Sequence, residues 1–446
     1  MSANRLSVTM VLTGGFLLIT LVLGQVPVES NPIDLDTAAK YFAHAKSLSD
    51  ADGSDLWGWP LYGPMIFVDP VSRFCIANQA DAEGRLTSND GVFSGTLPND
   101  AMIANTATRW AGVKWTMVLW PLPENKYRRG RLLAHELFHR MQDDIGLPMK
   151  SPDNGHLDSR DGRIWLRLEW RALSEALIQR DIARLEAVED ALVFRYYRWL
   201  LLPNGADNER ALELNEGLAE YTGFALSGLP AHVLPDRAAI QLEEYEHRDS
   251  FVRNFAYASG PAYGILLDEV GIQWRDQMTP EEDLGAKLRA AYTAEVPTDL
   301  RTEAHRRAAK YDGRSVIAQE TLRDVTRKAR QAEFRERFVN GATLTVPRVE
   351  NIRYSFNPNA VEAFDNVGSV YLTTRVTDAW GILEVTAGGA LMIRGGGLVD
   401  RFIVPAPLDV TARPVVGDGW TLELAEGWTL NASQRKGDWI IGRIDE

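Results

Sequence analysis

Two histidines and a glutamate stand close together in a segment of helical pattern. Residues 131–142 read RLLAHELFHRMQ, so His135 and His139 are four positions apart and Glu136 follows the first of them. Because residues i and i+4 lie on one face of an α-helix, both imidazoles can bind the same metal ion. Glu136 can reach a metal-bound water and accept its proton. The spacing therefore predicts a hydrolytic metal centre. The alternative is a buried helix whose histidines are satisfied by hydrogen bonds.

A catalytic zinc ion needs a third protein ligand and keeps one position for water. Cys75 is the one cysteine and there are 7 histidines, so this ligand must be a histidine or a carboxylate. Glu213, Glu216 and Glu220 share one face of a second helical segment through their i+3 and i+4 spacing. A solvated acidic face would have the same spacing. His156 is another candidate, although its turn-like surroundings favour a loop or capping role.

These two segments together resemble the gluzincin metallopeptidases. The resemblance rests on His-Glu-x-x-His at 135–139, followed by Asn-Glu-Gly-x-Ala at 215–219. In the thermolysin-like and alanyl-aminopeptidase-like branches, the glutamate of the Asn-Glu pair is the third zinc ligand. The resemblance therefore implies one Zn2+ ion per chain, bound by His135, His139 and Glu216.

The same resemblance implies roles for two further residues. Glu220 lies four positions after Glu216, where the thermolysin-like branch has a carboxylate that orients a zinc-binding histidine. Tyr257 begins a Tyr-Ala-Ser-Gly segment similar to the aminopeptidase motif whose tyrosine stabilises the tetrahedral intermediate. A core tyrosine is the alternative for Tyr257. A strand that precedes the zinc helix binds substrate in zincins, which implies β-addition at Val113–Met117, with an internal core strand as the alternative.

The gap between the two motifs is much longer than in either gluzincin branch. Position 216 follows position 139 by 77 residues, and the intervening stretch from Ile164 to Leu202 reads as one long helix or two joined helices. We therefore expect a helical insertion between the two metal-binding segments.

The patterns along the chain predict an α+β protein. Strand signals separated by turns occupy residues 31–130, helical patterns occupy 131–340, and short strands with turn signals return at 343–446. Together with these patterns, the resemblance to gluzincins implies a zincin-like catalytic domain with a largely helical C-terminal half, in which 31–130 form the N-terminal α+β part and 131–340 form the zinc-site domain. Residues 343–446 should form an all-β accessory domain, either a sandwich or a barrel.

The N-terminal residues 1–24 have the pattern of a targeting segment. Arg5 precedes an apolar run over residues 6–23, and Gly24 offers a small-residue cleavage position. The run is longer than a typical signal-peptide core and close to the length that spans a bilayer. A cleaved signal, an uncleaved membrane anchor and a non-targeting apolar segment are the three interpretations. Either of the first two predicts export, to the periplasm or the outside of the cell.

The charge composition bears on the class of partner. The chain has 48 Lys and Arg against 61 Asp and Glu, a net charge of −13, which argues against nucleic acid as a partner because phosphate neutralisation needs a positive surface. The resemblance to gluzincins implies zinc-dependent hydrolysis of peptide bonds, with a peptide or protein as substrate and Glu136 activating the water. The alternatives are a zinc hydrolase acting on other bonds and an exported binding protein with a structural metal site.

Overall fold

The structure is a computed structural model that describes residues 32–98, 101, 103–356, 360–364, 367–395 and 398–444. The chain forms two compact units, and each combines segments that are distant in sequence. The first unit comprises the chain up to Ser151, Ala211–Leu234 and Gly271–Glu282, and the second comprises Pro152–Arg210, Pro235–Val270 and the chain from Asp283. The predicted targeting segment lies outside the described residues. Among those that are described, no helix is both long enough and apolar enough to cross a membrane.

The helices are concentrated between residues 126 and 340, where the sequence predicts them. The α-helices of the described chain are α1 Leu35–Asp52, α2 Lys126–Gln142, α3 Arg160–Ile178, α4 Asp181–Leu201, α5 Ala206–Leu212, α6 Leu218–Ala225, α7 Leu234–Glu246, α8 Asn254–Glu269, α9 Leu284–Tyr292, α10 Leu300–Ala308 and α11 Gly313–Arg335. Two π-helical turns, Glu213–Gly217 and Glu336–Asn340, continue α5 and α11.

A mixed six-stranded sheet forms the core of the first unit. Its strands are β1 Met65–Val68, β2 Phe74–Ala77, β3 Thr87–Asn89, β4 Val92–Thr96, β5 Thr106–Trp110 and β6 Val113–Leu119. They lie in the order β3-β4-β2-β1-β6-β5, with β1 parallel to β6 and the other neighbours antiparallel. Every residue of β1 is buried, because both faces of the sheet are covered. On one face, Phe67 stacks on Phe42 of α1 with ring centroids 4.2 Å apart.

The position of β6 corrects part of one prediction. β-Addition of substrate at Val113–Met117 requires a strand with a free edge. β6 pairs with β5 over Val113–Met117 and with β1 over Thr116–Leu119. Thr116 and Met117 are therefore internal to the sheet, whereas among the described strands the preceding three residues of β6 pair with β5 alone. The edge strand on this side of the sheet is β5.

Helix α2 follows the sheet directly and has clear signals at both ends. The Asn125 side chain accepts hydrogen bonds from the backbone N–H groups of Tyr127 and Arg128, which satisfies two donors of the first turn. After the last helical residue, Gly146 adopts a φ of +79°, a conformation that favours glycine, and ends the segment as its sequence predicts.

Two glycines allow α2 to pack closely against α6 in the first unit. A Cβ atom at Gly130 of α2 would lie 2.7 Å from the backbone oxygen of Ser227, and one at Gly223 of α6 would lie 2.8 Å from the backbone oxygen of Arg131. Both distances are shorter than a van der Waals contact. Side chains at these positions would push the helices apart, so glycine sets the spacing at which residues of α2 and α6 meet.

The predicted helical insertion is present and belongs to the second unit. It consists of two helices rather than one, because the chain is extended at Gln179 and Arg180, and Asp181, the first residue of α4, has a φ of +50°. Charged side chains are buried between these helices and their neighbours. Arg198 and Glu169 pair at zero exposure, and Arg163 donates to Glu320 over 2.8 Å. Pairing is what makes this burial of charge tolerable.

Residues from Thr343 onward form a β-sandwich, one of the two predicted architectures. Its strands are β7 Thr343–Pro347, β8 Arg353–Phe356, β9 Val361–Phe364, β10 Gly368–Tyr371, β11 Thr374–Asp378, β12 Gly381–Val385, β13 Ala390–Gly395, β14 Leu398–Pro405, β15 Pro407–Asp409, β16 Val415–Gly417, β17 Trp420–Leu424, β18 Trp428–Ala432 and β19 Trp439–Arg443. They form one sheet in the order β18-β19-β7-β14-β13-β10-β9 and another in the order β15-β16-β17-β12-β11-β8. The α+β class is therefore confirmed.

Both sheets contribute to one apolar core. Val376 and Trp420 from one sheet, and Trp380 from the turn between β11 and β12, pack with Leu344 and Phe402 from the other sheet, and all five are buried. The two sheets are therefore held together by a shared apolar core.

We predict that Trp380→Ala destabilises the sandwich by about 3–5 kcal/mol, because it leaves a large cavity in this core. Trp380 has zero exposure and its indole N–H donates to the backbone oxygen of Pro347 over 2.9 Å. Denaturant unfolding followed by fluorescence measures the loss. Leu408→Ala is the control, because Leu408 is 75% exposed and its truncation should change stability by less than about 0.5 kcal/mol. A loss below about 1 kcal/mol for Trp380→Ala would contradict this core assignment.

Candidate metal centre

Helix α2 presents both histidines of the HExxH segment on one face. The two imidazole rings have centroids 4.8 Å apart and are inclined by 74°, and their Nε2 atoms lie 3.1 Å from each other. His135 and His139 are each 6% exposed. The i, i+4 spacing therefore brings two nitrogen donors together inside the protein, as the sequence predicts.

Glu216 completes a triangle of donor atoms. Its Oε2 atom lies 3.7 Å from Nε2 of His135 and 3.5 Å from Nε2 of His139. Donors on a tetrahedral ion at bond lengths of about 2.0–2.2 Å lie about 3.3–3.6 Å from one another. The three separations are close to that range. His135, His139 and Glu216 therefore form a cluster that could hold a metal ion.

A π-helical turn carries Glu216. Residues Glu213–Gly217 are wound so that the backbone N–H of Leu218 donates to the oxygen of Glu213, five residues back. Such turns insert an extra residue into a helix and rotate the side chains that follow, and they are frequent at functional sites. The neighbouring Asn215 donates to the backbone oxygen of Lys150 over 3.1 Å, which ties this turn to the segment after α2.

Glu220 contacts His135 in the way its offset from Glu216 predicts. Its Oε2 atom accepts from Nδ1 of His135 over 2.7 Å, and its Oε1 atom accepts from the guanidinium of Arg131. Burial alone would raise the pKa of Glu220, but the hydrogen bond from His135 and the charge of Arg131 lower it to about 2. A permanently ionised acceptor keeps the proton of His135 on Nδ1 and leaves its Nε2 lone pair for a metal ion.

Gln142 holds the second histidine, a role that sequence reasoning missed. Its Oε1 atom lies 3.0 Å from Nδ1 of His139, and the side chain is fully buried at the end of α2. The i, i+3 spacing from His139 was an available signal.

Glu136 occupies the same buried region without binding to either histidine. It is 4% exposed, and its Oε2 atom has no hydrogen-bond partner among the described residues. Burial raises the pKa of Glu136, while the charges of His135 and His139 act in the opposite direction. An unpaired carboxylate oxygen at such a depth is costly unless a water or ligand satisfies it.

Three buried carboxylates therefore surround two imidazoles. Burial alone would lower the pKa of His135, but hydrogen bonds to Glu216 and Glu220 raise it to about 10. The carboxylates that stabilise the proton of His135 create a negative local potential. The same potential would stabilise a metal ion, which would replace that proton on binding.

Two other candidate residues belong to the second unit. Nε2 of His156 donates to Glu209 over 2.8 Å, and Glu209 also pairs with Arg198. This contact supports the interpretation of His156 as a structural residue. Tyr257 lies on α8, is half-buried, and its backbone oxygen accepts from Gln241 over 2.7 Å. Its catalytic role stays a prediction.

Comparison of the chain with protein-family models, with curated proteins and with solved structures returns no match. The resemblance to gluzincins therefore rests on the motifs and on the geometry of the residues that they name.

We predict that Glu216→Ala weakens metal binding by more than the ~10–100-fold that loss of a ligand's hydrogen-bond partner typically costs, because it removes a donor outright. Titration with Zn2+ against a competing chelator measures the affinity. His156→Ala is the control, since its partner Glu209 lies outside the donor cluster. Wild-type affinity in Glu216→Ala would assign the third ligand to another residue.

Proposed function

We propose that this protein is a zinc-dependent peptidase in which His135, His139 and Glu216 hold the metal ion and Glu136 is the general base. The observation that carries the proposal is the three-donor triangle beside the buried, unpartnered Oε2 atom of Glu136. Two histidines and one glutamate are the zinc donors of thermolysin and carboxypeptidase A. The six-stranded sheet followed directly by α2 supports the zincin-like fold that the proposal includes.

In this proposal, each residue of the site has a separate role in hydrolysis. A bound zinc ion would lower the pKa of a water molecule and polarise the scissile carbonyl. Glu136 accepts the proton of the attacking water at Oε2 and then donates it to the leaving nitrogen. Burial raises the pKa of Glu136, which makes its carboxylate a stronger base for the first step. Glu220 and Gln142 hold the imidazoles of His135 and His139 in one orientation.

The number of donors favours catalysis over a purely structural metal. A structural zinc site is closed by four protein ligands, whereas a catalytic site leaves one position open. In the described part of the chain, the cluster contains three donor residues. This favours the peptidase over the alternative of an exported binding protein with a structural metal.

We also propose that the protein is exported, on the basis of the apolar run over residues 6–23. A peptide or protein substrate outside the cytoplasm is consistent with a cleaved signal. Membrane attachment through the same residues would be the consequence of an uncleaved anchor.

We predict that Glu136→Gln keeps the metal and loses peptidase activity by ~10²–10⁴-fold, the usual contribution of a general base. The amide preserves the size of the side chain but cannot take a proton from water. Metal content and the hydrolysis of a protein such as casein are measured on the same preparation.

Glu246→Gln is the matched control for this experiment. Glu246 is another buried glutamate, bound to Arg167 and Arg171 in the second unit, so its variant tests the cost of replacing a buried carboxylate that is not part of the donor cluster. It should keep its activity per folded molecule. Near wild-type activity in Glu136→Gln would refute the general-base role. Hydrolysis of esters without hydrolysis of peptides would favour a zinc hydrolase of another class.

A further inference from the structure

Gln142 connects the two parts of the chain that supply the metal donors. Its Oε1 atom faces Nδ1 of His139 at 3.0 Å, and its Nε2 atom donates to the backbone oxygen of Leu214 at 3.2 Å. His139 belongs to α2, whereas Leu214 lies two residues before Glu216 in the π-helical turn. A single side chain therefore contacts both a histidine donor and the backbone beside the carboxylate donor.

The contact with Leu214 fixes which way the amide of Gln142 points. A backbone carbonyl can only accept, so the amide must turn its NH2 group toward Leu214 and its oxygen toward His139. An oxygen facing Nδ1 requires a proton on that nitrogen. The lone pair of His139 is then on Nε2, which is the atom that faces His135 and Glu216.

The π-helical turn makes this arrangement available. In a regular α-helix, the N–H of Leu218 would donate to the oxygen of Leu214. Here it donates to the oxygen of Glu213 instead. The carbonyl of Leu214 can therefore accept from Gln142, and the same turn carries Glu216 toward the histidines.

An amide is also the neutral choice of partner at this position. Glu136, Glu216 and Glu220 already place three carboxylates in the buried region. A fourth buried charge would add several kcal/mol of desolvation cost, whereas an amide orients the imidazole without adding charge.

We propose that Gln142 is a positioning residue of the metal centre: it sets the proton of His139 on Nδ1 and links α2 to the turn that carries Glu216. The inference rests on the proposed function, because it presumes that His139 and Glu216 bind the same ion. Loss of an oriented ligand's partner typically lowers metal affinity by ~10–100-fold.

Cobalt binding to the full-length protein tests this inference. Gln142→Met has a similar volume but lacks both amide contacts. It should bind Co2+ ~10–100-fold more weakly than wild type and show an altered visible absorption spectrum. Circular dichroism and thermal unfolding of the same variant separate a loss of histidine orientation from a general loss of stability.

Gln331→Met is the matched control. The Gln331 side chain also donates to a backbone carbonyl, that of Ala363 at 2.7 Å, but it lies on α11 in the second unit and is not part of the donor cluster. Its cobalt affinity and spectrum should equal those of wild type. A Gln142→Met protein with unchanged affinity and spectrum would overturn the inference.

A second measurement uses the wild-type protein and therefore does not depend on the folding of a variant. Nitrogen-15 NMR of the histidines in the wild-type, zinc-loaded protein should place the proton of His139 on Nδ1. A proton on Nε2 would overturn the inference even if Gln142→Met cannot be prepared. Failure of the wild-type protein to bind Zn2+ or Co2+ would instead refute the proposed function, so the two outcomes are distinguishable.

Discussion

The close approach of α2 and α6 is the constraint on which the metal centre depends. Gly130 and Gly223 each face backbone of the other segment at a distance where a Cβ atom would not fit. Donors contributed by two helices can meet on one ion only if the helix backbones are held at a fixed spacing. At this spacing, Glu220 reaches His135, and the preceding turn brings Glu216 against both histidines.

The same approach buries three carboxylates beside two imidazoles. Glu136, Glu216 and Glu220 are all at most 7% exposed, and Arg131 pairs with Glu220. Hydrogen bonds to Glu216 and Glu220 raise the pKa of His135, and burial raises the pKa of Glu136, because burying a carboxylate costs several kcal/mol. A divalent cation between the imidazoles and Glu216 would offset this charge. The electrostatics and the donor geometry thus favour the same occupant.

The sequence predicts the parts of this arrangement that depend on local spacing. The i, i+4 histidines, the offset from Glu216 to Glu220, the helical insertion and the C-terminal strands all follow from short-range patterns. Pairing of β6 on both edges, the break between α3 and α4, and the bridge from Gln142 to Leu214 could not be predicted in this way. They depend on which strands become neighbours, on one residue with positive φ, and on a π-helical turn, and these features are set by tertiary packing rather than by periodicity.

X-ray absorption spectroscopy at the zinc edge of the purified wild-type protein tests the central claim most directly. Two imidazole nitrogens and one carboxylate oxygen should appear at about 2.0–2.2 Å, with no sulfur ligand, because the one cysteine, Cys75, is buried in the core of the six-stranded sheet. A spectrum that requires a sulfur ligand, or that shows fewer than two imidazoles, would contradict the account. Hydrolysis of peptides by the metal-free protein would also contradict it.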